Sequence, residues 1–275
     1  MKVTLLGTRG SVGRAGPDTV RYGGDTSSVE VRAADGSLLL LDAGSGVVHS
    51  SLPANDEPVY VFLTHLHMDH IQGLGFLRPL FNPDVEVHLC GPVSSSRPLA
   101  ARLGRYLSPP LFPVHLRDLP NVTLHEVGAA RMSIGPFSVT SDYIIHPGRT
   151  LGVRVEADGR TLAYMPDHEP ALGKEHLTSD PMWTSGYELA RDADLLIHDT
   201  QYTDEEYQQR VGWGHSTLTQ AADFAAMAGV GRLMTFHHEP DHTDALIDEL
   251  MSDLTKSRDL PFELVPGIAR STVDV

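Results

Sequence analysis

Residues 64–70 read Thr64-His65-Leu66-His67-Met68-Asp69-His70 and directly follow the apolar run Val59-Tyr60-Val61-Phe62-Leu63. The run reads as a short buried strand, which places the histidines at a strand end. In an extended chain residues two apart point the same way, so His65 and His67 can reach one point. A turn after the strand brings Asp69 and His70 toward a neighbouring point. Imidazole and carboxylate together form a ligand set for zinc, iron or manganese. Four such side chains between positions 65 and 70 are more than one tetrahedral ion takes from one short segment, so the stretch reads as the start of a two-ion site.

Composition supports a functional reading of these residues. The chain has 275 residues and 15 histidines, more than its Phe, Tyr or Met, at 8 each. Histidine is the commonest metal ligand. Acidic residues number 36 and basic residues 21, a formal net charge of −15. Such a surface is a poor binder of long nucleic acids and of anionic membranes. The single cysteine, Cys90, fits a reducing compartment. The N-terminus, Met1-Lys2-Val3-Thr4-Leu5-Leu6-Gly7, is too short an apolar run for a signal peptide, and no run is long enough to span a bilayer. A soluble cytoplasmic protein is expected, with a homodimer as the default assembly.

Outward from the histidine run, the chain alternates short strands with helices. Lys2–Leu6 is a strand, followed by a Gly- and Arg-rich loop to Gly24. Ser27–Arg32 and Ser37–Leu41 flank Asp35-Gly36, a tight-hairpin dipeptide, and end at Asp42. Leu38–Leu41 is apolar throughout and expected to be buried on both faces. A helix is expected over Ile71–Leu80, a strand over Val85–Leu89, and a helix over Pro98–Leu107. The later half repeats the theme, with strands at Ser138–Thr140, Tyr143–His146 and Gly152–Glu156. The last of these passes through Asp158-Gly159 into Thr161–Tyr164, which leads to Asp167. Leu195–Ile197 and Arg232–Phe236 are further strands, and Leu218–Ala228 and Asp244–Lys256 are helices. Two similar halves, with mixed sheets covered by helices, follow from this order.

His65-x-His67-x-Asp69-His70 resembles the H-x-H-x-D-H signature of the metallo-β-lactamase fold superfamily, and the resemblance continues in order along the chain. His146, in Ile144-Ile145-His146-Pro147-Gly148, matches the family's third ligand motif. Asp167, after Tyr164-Met165-Pro166, matches the bridging aspartate, and His237 rather than its neighbour His238 matches the last histidine. The resemblance implies an α/β fold, a four-layer αββα sandwich with two similar halves. No linker separates the halves, so one domain over residues 1–275 is expected, and the Pro-rich residues 91–120 read as a lid insertion in which Tyr106, Leu111 and Phe112 roof the pocket. The resemblance also implies two divalent ions, zinc first and manganese or iron next. His65, His67, His146 and Asp167 would hold one, and Asp69, His70, Asp167 and His237 the other.

Within the superfamily the chain is most similar to the branch of ribonuclease Z and small phosphodiesterases. Gly7-Thr8-Arg9-Gly10-Ser11 and Asp25-Thr26-Ser27 resemble that branch's N-terminal glycine loop and N-T-S element. Leu196-Ile197-His198-Asp199-Thr200 resembles its H-E-A-T segment, and Gly214-His215-Ser216-Thr217 its H-S-T segment. An Asp199–His215 pair is implied, although Ser216 or Thr217 also reads simply as a helix cap. The implied reaction is hydrolysis of a phosphodiester by a metal-bridging hydroxide. Asp69 would accept a proton, His215 would serve the phosphate or leaving oxygen, and Asp199 would fix the His215 tautomer. Ribonuclease Z carries a long arm between its third and fourth ligand motifs, whereas positions 146 and 167 here leave room only for a hairpin. With the acidic charge, this argues for a small or cyclic phosphodiester and against a large RNA. Arg9, Arg14 and Arg21 are candidates to meet a phosphate. The runner-up reading is a thioesterase- or lactonase-type carbonyl hydrolase of the same fold, followed by a metal-bound ligand-sensing module with little turnover. His168 reads as supporting or exposed. His49, His88, His115, His125, His176 and His242 read as structural or exposed, with His115 in the lid.

Overall fold

The computed structural model describes residues 1–51, 57–172, 177–178 and 180–275; His176 lies outside them. Its strands are β1 (Lys2–Gly7), β2 (Ser28–Arg32), β3 (Leu38–Leu41), β4 (Val59–Phe62), β5 (Val87–Pro92), β6 (Val122–Val127), β7 (Ala130–Ile134), β8 (Phe137–Tyr143), β9 (Leu151–Ala157), β10 (Arg160–Met165), β11 (Leu195–Asp199), β12 (Arg232–Phe236), β13 (Glu263–Val265) and β14 (Thr272–Asp274). They form two seven-stranded sheets, ordered β14-β1-β2-β3-β4-β5-β6 and β13-β12-β11-β10-β9-β8-β7. In the first, β3 to β6 run parallel and β14 to β3 antiparallel. The second repeats the pattern, parallel from β10 to β13 and antiparallel from β7 to β10. Each half therefore feeds a hairpin into a run of parallel strands. Asp158 and Gly159 both take positive φ, 54° and 70°, which a two-residue type I′ turn requires and which Asp-Gly supplies at little strain.

Period-2 alternation builds the layers. Leu39 and Leu41 face the core between the sheets, where they meet Phe62, Val139, Val153, Leu162, Tyr164, Ile197 and Phe236. Leu38 and Leu40 face the opposite way, with Val59, Val61 and Leu89, under Ile71, Leu74, Leu99 and Leu103. On the far side of the second sheet, Ala163, Met165 and Leu196 pack beneath the helices with Ala221, Phe224 and Ala225. The result is the expected αββα sandwich. Truncating an inter-sheet residue such as Leu39 to Ala would cost about 2–5 kcal/mol.

The helices are α1 (Met68–Ile71), α2 (Leu99–Leu103), α3 (Tyr187–Ala190), α4 (Asp204–Tyr207), α5 (Leu218–Ala228) and α6 (Asp244–Ser257). Thr217 and Gln220 form a reciprocal capping box at the start of α5, and Gly229 ends it at φ 67°. No helix among the described residues is long and apolar enough to cross a membrane.

Several expected elements differ. The helix expected over 71–80 breaks into α1 and two single turns, Leu74–Phe76 and Arg78–Phe81. The cause is close packing: a Cβ on Gly73 would lie 2.1 Å from the Gly44 carbonyl oxygen, and one on Gly75 would lie 2.5 Å from the Phe112 ring. The expected strand at Tyr143–His146 is instead the end of β8 and a loop, which frees His146 to turn inward. The helix expected over 98–107 is the shorter α2. Edge strands β6, β7, β13 and β14 were not anticipated; they are short or half exposed, which blurs alternation.

Candidate metal centre

The ligands of the two expected sets sit just past the end of a strand or on the first turn after one. The residues fall into three groups whose ligand atoms lie within 4.8 Å of one another: His65, His67, His146 and Asp167; Asp69, His70, Asp167 and His237; and Asp199, His215 and His237. The first two are the two expected sets. Asp167 belongs to both. Its Oδ2 lies 3.6 Å from His65 Nε2 and from His146 Nε2, and its Oδ1 lies 2.9 Å from His70 Nε2 and 3.3 Å from His237 Nε2.

The imidazoles are aimed by bonds at their other nitrogens. His70 Nδ1–H donates to Asp42 Oδ2 at 2.9 Å, His146 Nδ1–H to the Gly214 carbonyl at 2.9 Å, and His237 Nδ1–H to Gln201 Oε1 at 2.9 Å. Each bond orients Nε2 toward the centre, where its lone pair is available once the ring is neutral. Asp42 is held by four donor groups: the Thr64 amide and hydroxyl, His70 and the Tyr164 hydroxyl. Gln201 in turn donates to Ser11 Oγ and Glu239 Oε2. The Ser11 amide donates to Asp69 Oδ2 at 2.8 Å.

Chemistry of the donor set fits divalent cations. His65 Nε2 and Asp167 Oδ1 are buried without a hydrogen-bond partner, a costly state unless something else satisfies them. Burial and the neighbouring His70 push His65 well below the usual imidazole range, and burial takes His146 down to about 4. Both are therefore neutral at pH 7, the form that ligates metal. His70 moves oppositely: burial opposes its charge, but Asp167, Asp69 and Asp42 outweigh burial and hold it well above the usual range. Three carboxylates around one imidazole leave negative charge that a cation would balance.

Beside these groups, His215 Nδ1–H donates to Asp199 Oδ2 at 2.6 Å. Asp199 also accepts from the amides of His168, Gln201 and Ser216. Burial lowers the His215 pKa, but Asp199, with Asp167 and Asp69 behind it, outweighs burial and lifts it to about 9. The His215 ring lies 5.0 Å from the rings of both His146 and His237.

The remaining expectations resolve residue by residue. His237 reaches the centre, whereas His238 Nε2–H donates to the Gly267 carbonyl at 3.1 Å. His168 is buried behind the site: His198 Nδ1–H donates to the Asp199 carbonyl, so His198 Nε2 accepts from His168 Nδ1–H at 2.9 Å. Arg9 does not meet solvent or ligand. It is fully buried and donates to the carbonyls of Gly23, Glu239 and His242, bracing the glycine loop against the segment after His237. Arg21 pairs with Asp248 and Arg14 with Asp241. His115 lines a separate cavity with Leu107 and Leu116. His88 and His125 contact each other at 3.0 Å, His242 pairs with Glu206, and His49 with Asp25. Asp42 and Gln201 were missed as orienting residues. Asp42 carried a signal, an acidic residue ending a buried strand as Asp167 does, but Gln201 carried none.

A cavity of about 780 Å³ opens beside the first group, with His65, His67, Met68, Tyr106 and Leu111 among its walls. Phe112 instead packs inward, its ring 6.0 Å from Phe76.

Known proteins agree with this arrangement. A family model described as a Beta-lactamase superfamily domain matches residues 38–238. Ribonuclease Z of Lactiplantibacillus plantarum is 27% identical over 300 aligned positions that cover 93% of each chain. The metallo-β-lactamase fold protein YhfI of Bacillus subtilis superposes with a TM-score of 0.72 at 19% identity, covering 99% of each chain. Human tRNase Z, short form, superposes with a TM-score of 0.68 at 21% identity, covering 100% of this chain and 99% of that one. With two matched sheets, a histidine–aspartate cluster at their strand ends and a family match across most of its length, the chain belongs to the β-lactamase superfamily, as a metal-dependent hydrolase of the metallo-β-lactamase fold.

Proposed function

We propose that the chain is a dinuclear phosphodiesterase acting on a small or cyclic phosphodiester. The observation that carries this reading is the third group: an imidazole oriented by Asp199, with its pKa lifted to about 9, set against two ligand groups that share Asp167. When bound, two divalent ions in those groups would supply Lewis acidity and activate water near neutral pH. Imidazole and carboxylate donors suit zinc, manganese and iron, and zinc is the ion proposed.

The chain's own residues then divide the work. Asp69, its Oδ2 held by the Ser11 amide and 3.2 Å from His237 Nε2, accepts a proton from the attacking water. His215 donates a hydrogen bond from Nε2 to a phosphoryl oxygen and yields that proton to the leaving oxygen. Asp199 holds the His215 tautomer and stabilises its charge. The segment 91–120 supplies one wall of the cavity through Arg102, Tyr106 and Leu111.

The hairpin between His146 and Asp167 and the −15 charge favour a small substrate. The relatives named ribonuclease Z make RNA the necessary comparison. The test is a panel with the metal-loaded protein: bis(p-nitrophenyl) phosphate, 2′,3′- and 3′,5′-cyclic nucleotides, a transfer RNA with a 3′ extension, and a thioester. Chelator-sensitive turnover of the small phosphodiesters is expected. Cleavage of the RNA with none of the small esters would overturn the substrate size, and turnover of the thioester alone would overturn the phosphodiesterase reading.

A further inference from the structure

The cavity beside the first ligand group is larger than a single phosphoryl group needs, and its charge is opposite to that of the chain. At about 780 Å³ it has the volume of a site for a whole small molecule. No Asp or Glu lines it, whereas Arg102, Arg105 and Arg149 do, in a protein with a net charge of −15.

The three arginines are not equivalent. Arg102 is committed to the fold: it donates to the carbonyls of Arg97 and Pro92 and approaches Glu126. The Arg105 side chain is exposed and has no hydrogen-bond or ion-pair partner among the described residues. Arg149 lines the same cavity from the turn after His146, with its guanidinium 5.5 Å from the Tyr143 ring centre and a single long side-chain contact, 3.4 Å, to the Tyr143 hydroxyl. Both arginines line the same cavity, and apart from the Tyr143 contact no described residue takes up their guanidinium donors. Between them and the histidines the walls are apolar. Met68 is 53% exposed and Leu111 71% exposed, and both line the cavity with Ile71 and Tyr106. Tyr106 donates to the Gln72 carbonyl at 2.6 Å, which ties the roof to the turn after α1.

We propose that Arg105 and Arg149 form a subsite for a second, non-scissile anionic group, so that the substrate is a phosphodiester with an apolar or planar body and a further phosphate beyond it. Guanidinium forks match phosphate oxygens bidentately, and the apolar walls between them and the histidines accommodate the body. The inference rests on the phosphodiesterase reading for the scissile bond, but the subsite itself can be tested without turnover.

Two measurements separate the claims. The first compares nucleoside 5′-(p-nitrophenyl phosphate) with its 3′-phosphorylated form as substrates of the metal-loaded enzyme. The 3′-phosphate is expected to raise kcat/KM about tenfold through KM, as charge-assisted bonds at a partly exposed site would. In Arg105→Gln/Arg149→Gln the ratio should fall toward one. The second compares calorimetric binding of a nucleoside 3′,5′-bisphosphate and a 5′-monophosphate. The bisphosphate is expected to bind about tenfold tighter, and only with both arginines present. An arginine-dependent binding preference without hydrolysis of either ester would uphold the subsite and sink the phosphodiesterase reading. Hydrolysis of both esters at equal kcat/KM, with equal binding of the two nucleotides, would overturn the subsite and leave that reading standing.

Discussion

Asp42 and Asp167 occupy corresponding places in the two halves, each just past a hairpin strand, β3 or β10, that adjoins the first parallel neighbour. Their surroundings differ. Four donor groups saturate Asp42, while Asp167 faces four imidazole nitrogens and its Oδ1 has no hydrogen bond. In the proposed centre the same position in a repeated architecture supports a candidate ligand, His70, in one half and would itself be the shared ligand in the other. Hydrogen-bond saturation, rather than residue type, separates the two roles.

The largest effect expected from this contrast is at Asp167. Asp167→Ala removes an oxygen donor from both groups, so metal analysis should show loss of both ions and phosphodiester turnover should disappear. Retention of two ions would break the assignment of Asp167 as shared. Next is His215→Ala, which leaves both ligand groups intact. Turnover should fall by about 10²–10⁴ with metal content unchanged; turnover equal to wild type would remove His215 from the chemistry. Asp42→Asn comes third. Asn keeps the positive φ of 59°, which Asn and Asp tolerate, but its NH₂ faces donors, and His70 loses the charged partner at its Nδ1. A fall in metal affinity of about 10–100-fold is expected by chelator competition. Gln201→Ala should have a smaller effect, since it removes a neutral partner of His237; the reverse order would contradict the role given to the Asp42 charge.

The smallest effect concerns the bracing of the second half. Glu206 joins the α4 capping box to His242, on the segment that also receives Arg9. Burial raises the Glu206 pKa, but the Thr203 amide and His242 outweigh it and lower it. Its ionised form therefore stabilises the fold above the ordinary carboxylate range, and this contribution is lost as pH falls through the lowered value. Glu206→Gln should cost about 1 kcal/mol at neutral pH, and urea titrations should show the gap to wild type closing below about pH 4. A gap unchanged between pH 7 and pH 3 would remove the charge from the explanation.

The halves also differ in how legible they were. His65, His67, Asp69 and His70 stand together after a buried strand, so local spacing alone placed them. His146, Asp167, Asp199, His215 and His237 are scattered over five segments and converge only through the second sheet; no local pattern joins them, and it took the ordered resemblance to a family to pick them out. The hairpins and the buried strands Leu38–Leu41 and Val59–Phe62 were readable because Asp-Gly turns and apolar runs are local signals. The broken helix after α1 was not, because Gly73 and Gly75 are required by contacts with distant Gly44 and Phe112. Arg9 misled for the same reason: an arginine in a glycine loop looks like an anion contact until three distant carbonyls are seen to claim it.

The central claim is a two-ion phosphodiesterase centre sharing Asp167. It is tested most directly by stripping the protein of metal and measuring bis(p-nitrophenyl) phosphate hydrolysis as zinc is returned. The expected curve rises to a plateau at two equivalents per chain. A plateau at one equivalent, or hydrolysis that persists without metal, would contradict it.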